Sequence, residues 1–195
     1  MEDRIEQLAR LFLKFPGIGT RQARRFAHFI LSQQESYVKN LASTLVEVRA
    51  QAHTCAACFR IYEGTPGLCS LCSDTTRDKN TIVVVEKSTD IEAFLKTDYR
   101  GVFFVLGGLI PIVQKNVVDG TNAEALIARI KKDTTSEIIL AFPITPNGDH
   151  TDTVIREMLS PYPNEINSLG RGLSIGTELE YADPASLSAS LKKRE

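Results

Sequence analysis

The sequence has no apolar run approaching the roughly 20 residues needed to span a bilayer. Its start, MEDRIEQLARLFLKF, alternates charged and apolar residues instead of running apolar as a signal peptide does. It holds no internal repeat and no low-complexity tract, which excludes repeat arrays and a wholly disordered chain. Its net charge of −1 rules out a general polycation. What is present is 195 residues, 43% hydrophobic and 24% charged, apolar enough for about one to three compact units. These features predict a soluble chain in the reducing cytoplasm.

All four cysteines lie within residues 55–72, as two Cys-x-x-Cys pairs, Cys55/Cys58 and Cys69/Cys72. Each short loop turns two sulfurs toward one ion, and four thiolates suit a closed tetrahedral zinc site. With no coordination position left for water, the expected zinc is structural. Its binding adds folding free energy, on the order of 10 kcal/mol in small peptides. Two disulfides, a redox-active pair or packed cysteines are the alternatives, and spacing and compartment favour zinc. His53, two residues before Cys55, reads as an ordinary polar neighbour because the thiolate set is complete.

Charge is unevenly placed. Between Arg4 and Leu31, Arg4, Arg10, Lys14, Arg21, Arg24 and Arg25 face a lone acid, Glu6. Between Asp133 and Asp183 the balance reverses, with Arg156 and Arg171 the only basic residues. The amino-terminal stretch therefore suits phosphates, although charge runs are usually solvated faces.

Phe15-Pro16-Gly17-Ile18-Gly19-Thr20-Arg21 separates two apolar-periodic segments, Ile5 to Phe15 and Thr20 to Leu31, which predicts two helices joined by a tight turn. Gly17 and Gly19 let the backbone bend and approach a phosphate with no Cβ between. The free N–H groups that open the second helix form an anion site, and Arg21, Arg24 and Arg25 lie in its first turns. Arg21 and Arg25, four apart, share one face. This stretch resembles a helix-hairpin-helix motif, which implies sequence-tolerant contact with the DNA backbone; a helical hairpin kept only for packing is the plainer reading. A third helix is expected from Ser36 to Gln51, with Leu41, Leu45 and Val48 at core spacing.

After the polar stretch Ser73 to Asn80 the pattern becomes strand and helix in alternation. Strands are expected at 81–85, 102–106 and 137–142, and helices at 90–96, 123–132 and 153–159. Continuous apolar strands predict a parallel sheet covered on both faces. Glu86 falls at the carboxyl end of the first strand, where such sheets place ligand chemistry, and Asp149 follows the strand ending near Phe142. The pair resembles the acidic patch of Toprim domains, which arrange carboxylates around Mg²⁺.

The order of hairpin, four-cysteine module and Toprim-like unit, with Val84–Ile91, Phe104–Gly108, Arg171-Gly172-Leu173 and 176–183, resembles the RecR family of recombination mediators. The resemblance implies an α+β multidomain chain: a helix-hairpin-helix domain at 1–53, a zinc module at 54–76, a Toprim-like α/β domain at 77–172 and an oligomerisation segment at 173–195. It implies a cytoplasmic, nucleoid-associated, non-enzymatic clamp. That clamp would be a homodimer or homotetramer ring that binds double- and single-stranded DNA and acts with RecO and RecF to load RecA. By position, Gly17, Gly19, Arg21, Arg24 and Arg25 would meet DNA and Cys55, Cys58, Cys69 and Cys72 would hold Zn²⁺. Glu86, Asp149 and Arg171 would form a partner-binding acidic patch, with Mg²⁺ there the weaker expectation.

The pattern departs from the family at Asn147, where a glutamate is usual, and in the segment after Gly108. The alternative class is a Mg²⁺-dependent Toprim nuclease or topoisomerase-like enzyme. It wants several converging carboxylates, yet Asp149-His150-Thr151 lacks a second aspartate and no tyrosine sits in a recognisable catalytic setting. A zinc-stabilised scaffold that never touches DNA is the third reading. The end of the chain is expected to be strand-rich from Glu165 to Asp183, with a final helix from Leu187 to Arg194.

Overall fold

A computed structural model describes residues 3–113, 118–133, 135–170, 173, 176 and 178–192. The chain forms two compact units, Met1–Ala52 and His53–Glu195.

The first unit holds helices α1 (Arg4–Phe12), α2 (Thr20–Ser32) and α3 (Glu35–Gln51). Asp3 caps α1 by accepting the Ile5 N–H at 3.0 Å. The helix stops at Phe12, short of the expected Phe15, because Pro16 has no N–H for the Phe12 carbonyl and disfavours helical backbone at Phe15. Two tighter turns, Lys14 N to Leu11 O and Phe15 N to Phe12 O, close the end instead. α1 and α2 pack through buried Ala9, Ala23 and Ala27, whose small side chains let the two backbones approach. The Phe12 ring meets Phe26 edge-on at 5.8 Å and stacks on Phe15 at 5.9 Å. α3 departs from its expected role. Leu45 and Val48 have core spacing, yet α3 buries no residue and these two are 62% and 49% exposed. Periodicity reports an apolar face without saying what covers it.

In the second unit a ribbon of β1 (Ala52–Thr54) and β2 (Ile61–Glu63) flanks the first cysteine pair, and the short helix α4 (Ser70–Ser73) carries the end of the second. Then come β3 (Asp78–Val85), a 3-10 turn at Ser88–Asp90, α5 (Ile91–Phe94), β4 (Gly101–Val105), α6 (Ala123–Lys132) and β5 (Glu137–Ala141). α7 (Pro146–Leu159), β6 (Glu165–Ser168) and α8 (Pro184–Lys192) complete it. The four long-range strands are all parallel, in the order β4-β3-β5-β6. Alternation sends Ile82, Val84, Phe104 and Leu140 to one face, against Leu126 of α6 and Ile155 and Leu159 of α7. Val83, Val85, Phe103 and Val105 take the other face with Ile91. Both faces are covered, so β3 and β4 read as unbroken apolar runs.

Two boundaries differ from expectation. α7 begins at Pro146 rather than Thr153, because Thr145 caps it by accepting the Gly148 N–H at 3.1 Å and Pro146 supplies a preset first helical residue. At the end of the chain, β6 is the only strand after β5 among the described residues, and α8 starts at Pro184.

β4 lies at the edge of the sheet, and the cysteine module closes it. The Val105 N–H donates to Cys58 O at 2.8 Å. The Arg129 guanidinium donates to Ala57 O at 3.0 Å and to Phe103 O at 2.9 Å, and the Phe59 ring lies 5.4 Å from that of Phe104. Covering an edge this way removes a template for unwanted strand pairing. Arg129→Met leaves two carbonyls without a donor, and urea unfolding of the metal-loaded protein should show a loss of about 1–3 kcal/mol.

Candidate metal centre and nucleic-acid interface

Cys55, Cys58 and Cys69 are buried and Cys72 is half-buried, with all four sulfurs within 4.8 Å of one another. Among the described residues they are the one group of three or more potential ligands that converge. Backbone bonds shape both knuckles: Phe59 N donates to Cys55 O, Cys72 N to Cys69 O, and Ala56 N to Gly67 O, each at 3.0 Å. The Cys69 N–H points at Cys55 Sγ from 3.3 Å, the outer support a thiolate needs. Turning the first knuckle puts Phe59 at φ 61°, a left-handed conformation rare for a bulky residue. Its ring packs against both faces' clusters, which repays the strain. His53 is not in the group; its ring sits 6.3 Å from that of Tyr62.

The sulfurs also disturb one another's protonation. A hydrogen bond from the Cys72 thiol holds Cys58 down to about 5, against the opposing effect of burial. Cys72 is pushed up by that same bond and by burial, and Cys69 is pushed up chiefly by burial. The Cys58 thiolate is thus favoured while Cys69 and Cys72 hold their protons more tightly, and a bound cation would draw those protons off.

In the hairpin, Gly17 has φ 76° and Gly19 is the N-cap of α2, with no side chain capping the helix. A Cβ at either glycine would meet nothing within 4 Å, so the space in front of the turn is open. No acidic residue occupies the first turn of α2, so its positive end is unopposed. Arg21, Arg24 and Arg25 are exposed. Arg24 is engaged with Glu6 at 3.4 Å across the two helices, whereas Arg21 and Arg25 make no ion pair among the described residues. Together they form a positive face at a helix start, suited to a phosphate backbone.

At the carboxyl edge of the sheet, Glu86 follows Val85, which pairs with Ala141 of β5, and Asp149 lies in the first turn of α7 after β5. The two acids therefore belong to neighbouring strand ends. Asp152 points to different work: it accepts from Ser168 Oγ at 2.7 Å and pairs with Arg156 at 3.3 Å. Gly148 is held by crowding, since a Cβ there would lie 1.9 Å from Pro143 O. Arg171 lies outside the described residues. No helix among the described residues is long and apolar enough to cross a membrane.

Comparison with known proteins agrees with this layout. Residues 5–49 match the RecR helix-hairpin-helix, residues 80–169 the Toprim domain and residues 172–195 the RecR C-terminal region. Recombination protein RecR of Lactococcus lactis subsp. cremoris is 35% identical over 193 residues, covering 97% of this chain and 96% of the relative. The RecR proteins of Streptococcus thermophilus and Chlorobaculum tepidum are each 35% identical, over 191 and 194 residues, covering 97% of this chain and 96% and 95% of the relatives. The chain belongs to the RecR family.

Residues with no sequence signal join the parts of the second unit. Arg60 pairs with Glu92 at 2.9 Å, and Ser88 Oγ accepts the Ile61 N–H at 3.1 Å. These bonds tie the metal module to the turn that follows Glu86 and to α5 beyond it. Titrating the metal-free protein with Zn²⁺ at neutral pH should release the protons of Cys69 and Cys72, read as acidification of a weakly buffered solution. Because protons compete for the sulfurs, metal affinity should fall as pH drops from 8 toward 5. Gly148→Ala should lower the thermal midpoint by the equivalent of about 2 kcal/mol or more, since the close atom is backbone and cannot rotate away.

Proposed function

We propose that this chain is a non-enzymatic, clamp-like recombination mediator that grips the DNA backbone through its hairpin. The observation that carries the reading is the open glycine turn that leads into an uncapped helix start beside Arg21 and Arg25, which make no ion pair among the described residues. Such a surface supplies phosphate contacts without base readout, which gives salt-dependent and sequence-tolerant binding. The recombination proteins it resembles support the same role.

The resident ion is zinc in this reading. Tetrahedral thiolates about 2.3 Å from Zn²⁺ lie roughly 3.8 Å apart, and Cys58 Sγ and Cys69 Sγ are separated by 3.6 Å. The ion is structural, because four sulfurs leave it no open position. Non-enzymatic action is supported by Asp152, whose carboxylate is paired with Arg156 and accepts the Ser168 hydroxyl, and so is engaged away from a two-metal set. Glu86 and Asp149 serve a protein partner, a role the family resemblance extends to Arg171; RecO and RecF are the partners and RecA loading on gapped DNA the outcome. Self-assembly into a dimer or tetrameric ring would cover the apolar side chains that the hairpin unit leaves exposed, among them Phe15, Leu45 and Val46. Residues 1–53, 54–76, 77–172 and 173–195 are the proposed functional divisions, and the cytoplasmic nucleoid is the proposed location.

The double variant Arg21→Ala/Arg25→Ala tests the reading. It should keep its fold and metal, bind duplex and gapped DNA at least about tenfold more weakly at moderate salt, and show a salt slope smaller by about one to two. Equal affinity of variant and parent at low and moderate salt would remove the hairpin from the interface.

A further inference from the structure

A cleft of about 560 Å³ lies between the cysteine module and the outer side of α6. It is far from the hairpin in sequence, and neither Glu86 nor Asp149 lines it. Phe59, Val102 and Ala128 line it as an apolar floor, together with the small side chain of Ala57. Leu68, 51% exposed, extends this apolar surface to the mouth.

The charged groups around it are of two kinds. Arg129 is already spent on Ala57 O, Phe103 O and Asp133, the last at 3.1 Å, so this arginine and this aspartate cancel. The side chains of Lys79 and Lys132 are exposed, and neither ammonium makes a hydrogen bond or ion pair among the described residues. The cleft thus offers an apolar floor under two uncommitted positive charges.

We propose that this cleft binds a short acidic and apolar segment of a partner protein, one apolar side chain seated on the floor and neighbouring carboxylates held by Lys79 and Lys132. Charge complementarity selects the acidic partner, and the apolar floor supplies what a purely electrostatic site lacks. Nucleic acid fits less well. Bases need free aromatic faces, and the floor is aliphatic apart from Phe59, whose ring is committed to Phe104. Because Ala57 and Phe59 belong to the first cysteine knuckle, the wall of the cleft exists only while that knuckle is folded.

Fluorescence anisotropy of the full-length, metal-loaded protein with a labelled peptide of alternating aspartate, leucine and phenylalanine tests this. Saturable binding is expected, weakened at least about tenfold by Lys79→Glu/Lys132→Glu and by Ala128→Phe, which fills the space without changing charge. The same peptide with asparagine for aspartate should bind as weakly as the charge-reversed variant. Circular dichroism and metal content check that each variant is folded. If Ala128→Phe disturbs the fold, the charge reversal decides, since both lysine side chains are exposed. Absence of saturable binding, or binding indifferent to the charge reversal, overturns the proposal. So does displacement by a single-stranded oligonucleotide whose own binding requires the same lysines, because that assigns the cleft to nucleic acid.

Discussion

Four sulfurs drawn within 4.8 Å of each other are the constraint on which the second unit depends. Thiols so crowded hold protons unevenly, and a cation is what lets all four stay together as thiolates. The consequences reach beyond the knuckles. The same loop that presents Cys58 offers its carbonyl to Val105 and forces Phe59 into a left-handed turn against Phe104. A metal clip of this kind replaces the strand or helix that would otherwise protect the β4 edge. Arg60, Ser88 and Arg129 then carry the connection to the turn after Glu86 and to α6.

The hairpin unit obeys a different economy. Its helices meet through alanines, which bring the backbones close but bury little apolar surface. Large side chains such as Leu45, Val46 and Phe29 remain exposed, and a helix pair with so small a core gains little stability from its own packing. The glycine turn at Gly17 to Gly19 stays open beside the exposed arginines of α2. Exposed apolar surface and a basic helix start are thus separate features of one short unit.

Much of this was legible in the residues because the signals were local. Cys-x-x-Cys spacing specifies a knuckle whatever surrounds it, glycines at 17 and 19 specify a turn, and unbroken apolar runs specify a sheet covered on both faces. The extent of α7 was missed because Thr145 and Pro146 form a cap whose meaning appears only when the Gly148 N–H is seen to reach the threonine hydroxyl. Asp152 was readable as an acid but not as the partner of Ser168, sixteen positions away. Arg24 looked equivalent to Arg21 and Arg25 until the packing of α1 on α2 brought Glu6 beside it. Long-range pairing of polar groups leaves no periodic trace, so a single sequence does not display it.

The central claim is that this RecR-family chain holds DNA without cutting it. Incubating metal-loaded protein with supercoiled and with gapped DNA in Mg²⁺, and following retardation and strand integrity in the same samples, tests it most directly. Retarded DNA recovered chemically intact is the predicted result. Nicked or relaxed DNA whose appearance requires Glu86 would contradict it and make the Toprim acids catalytic.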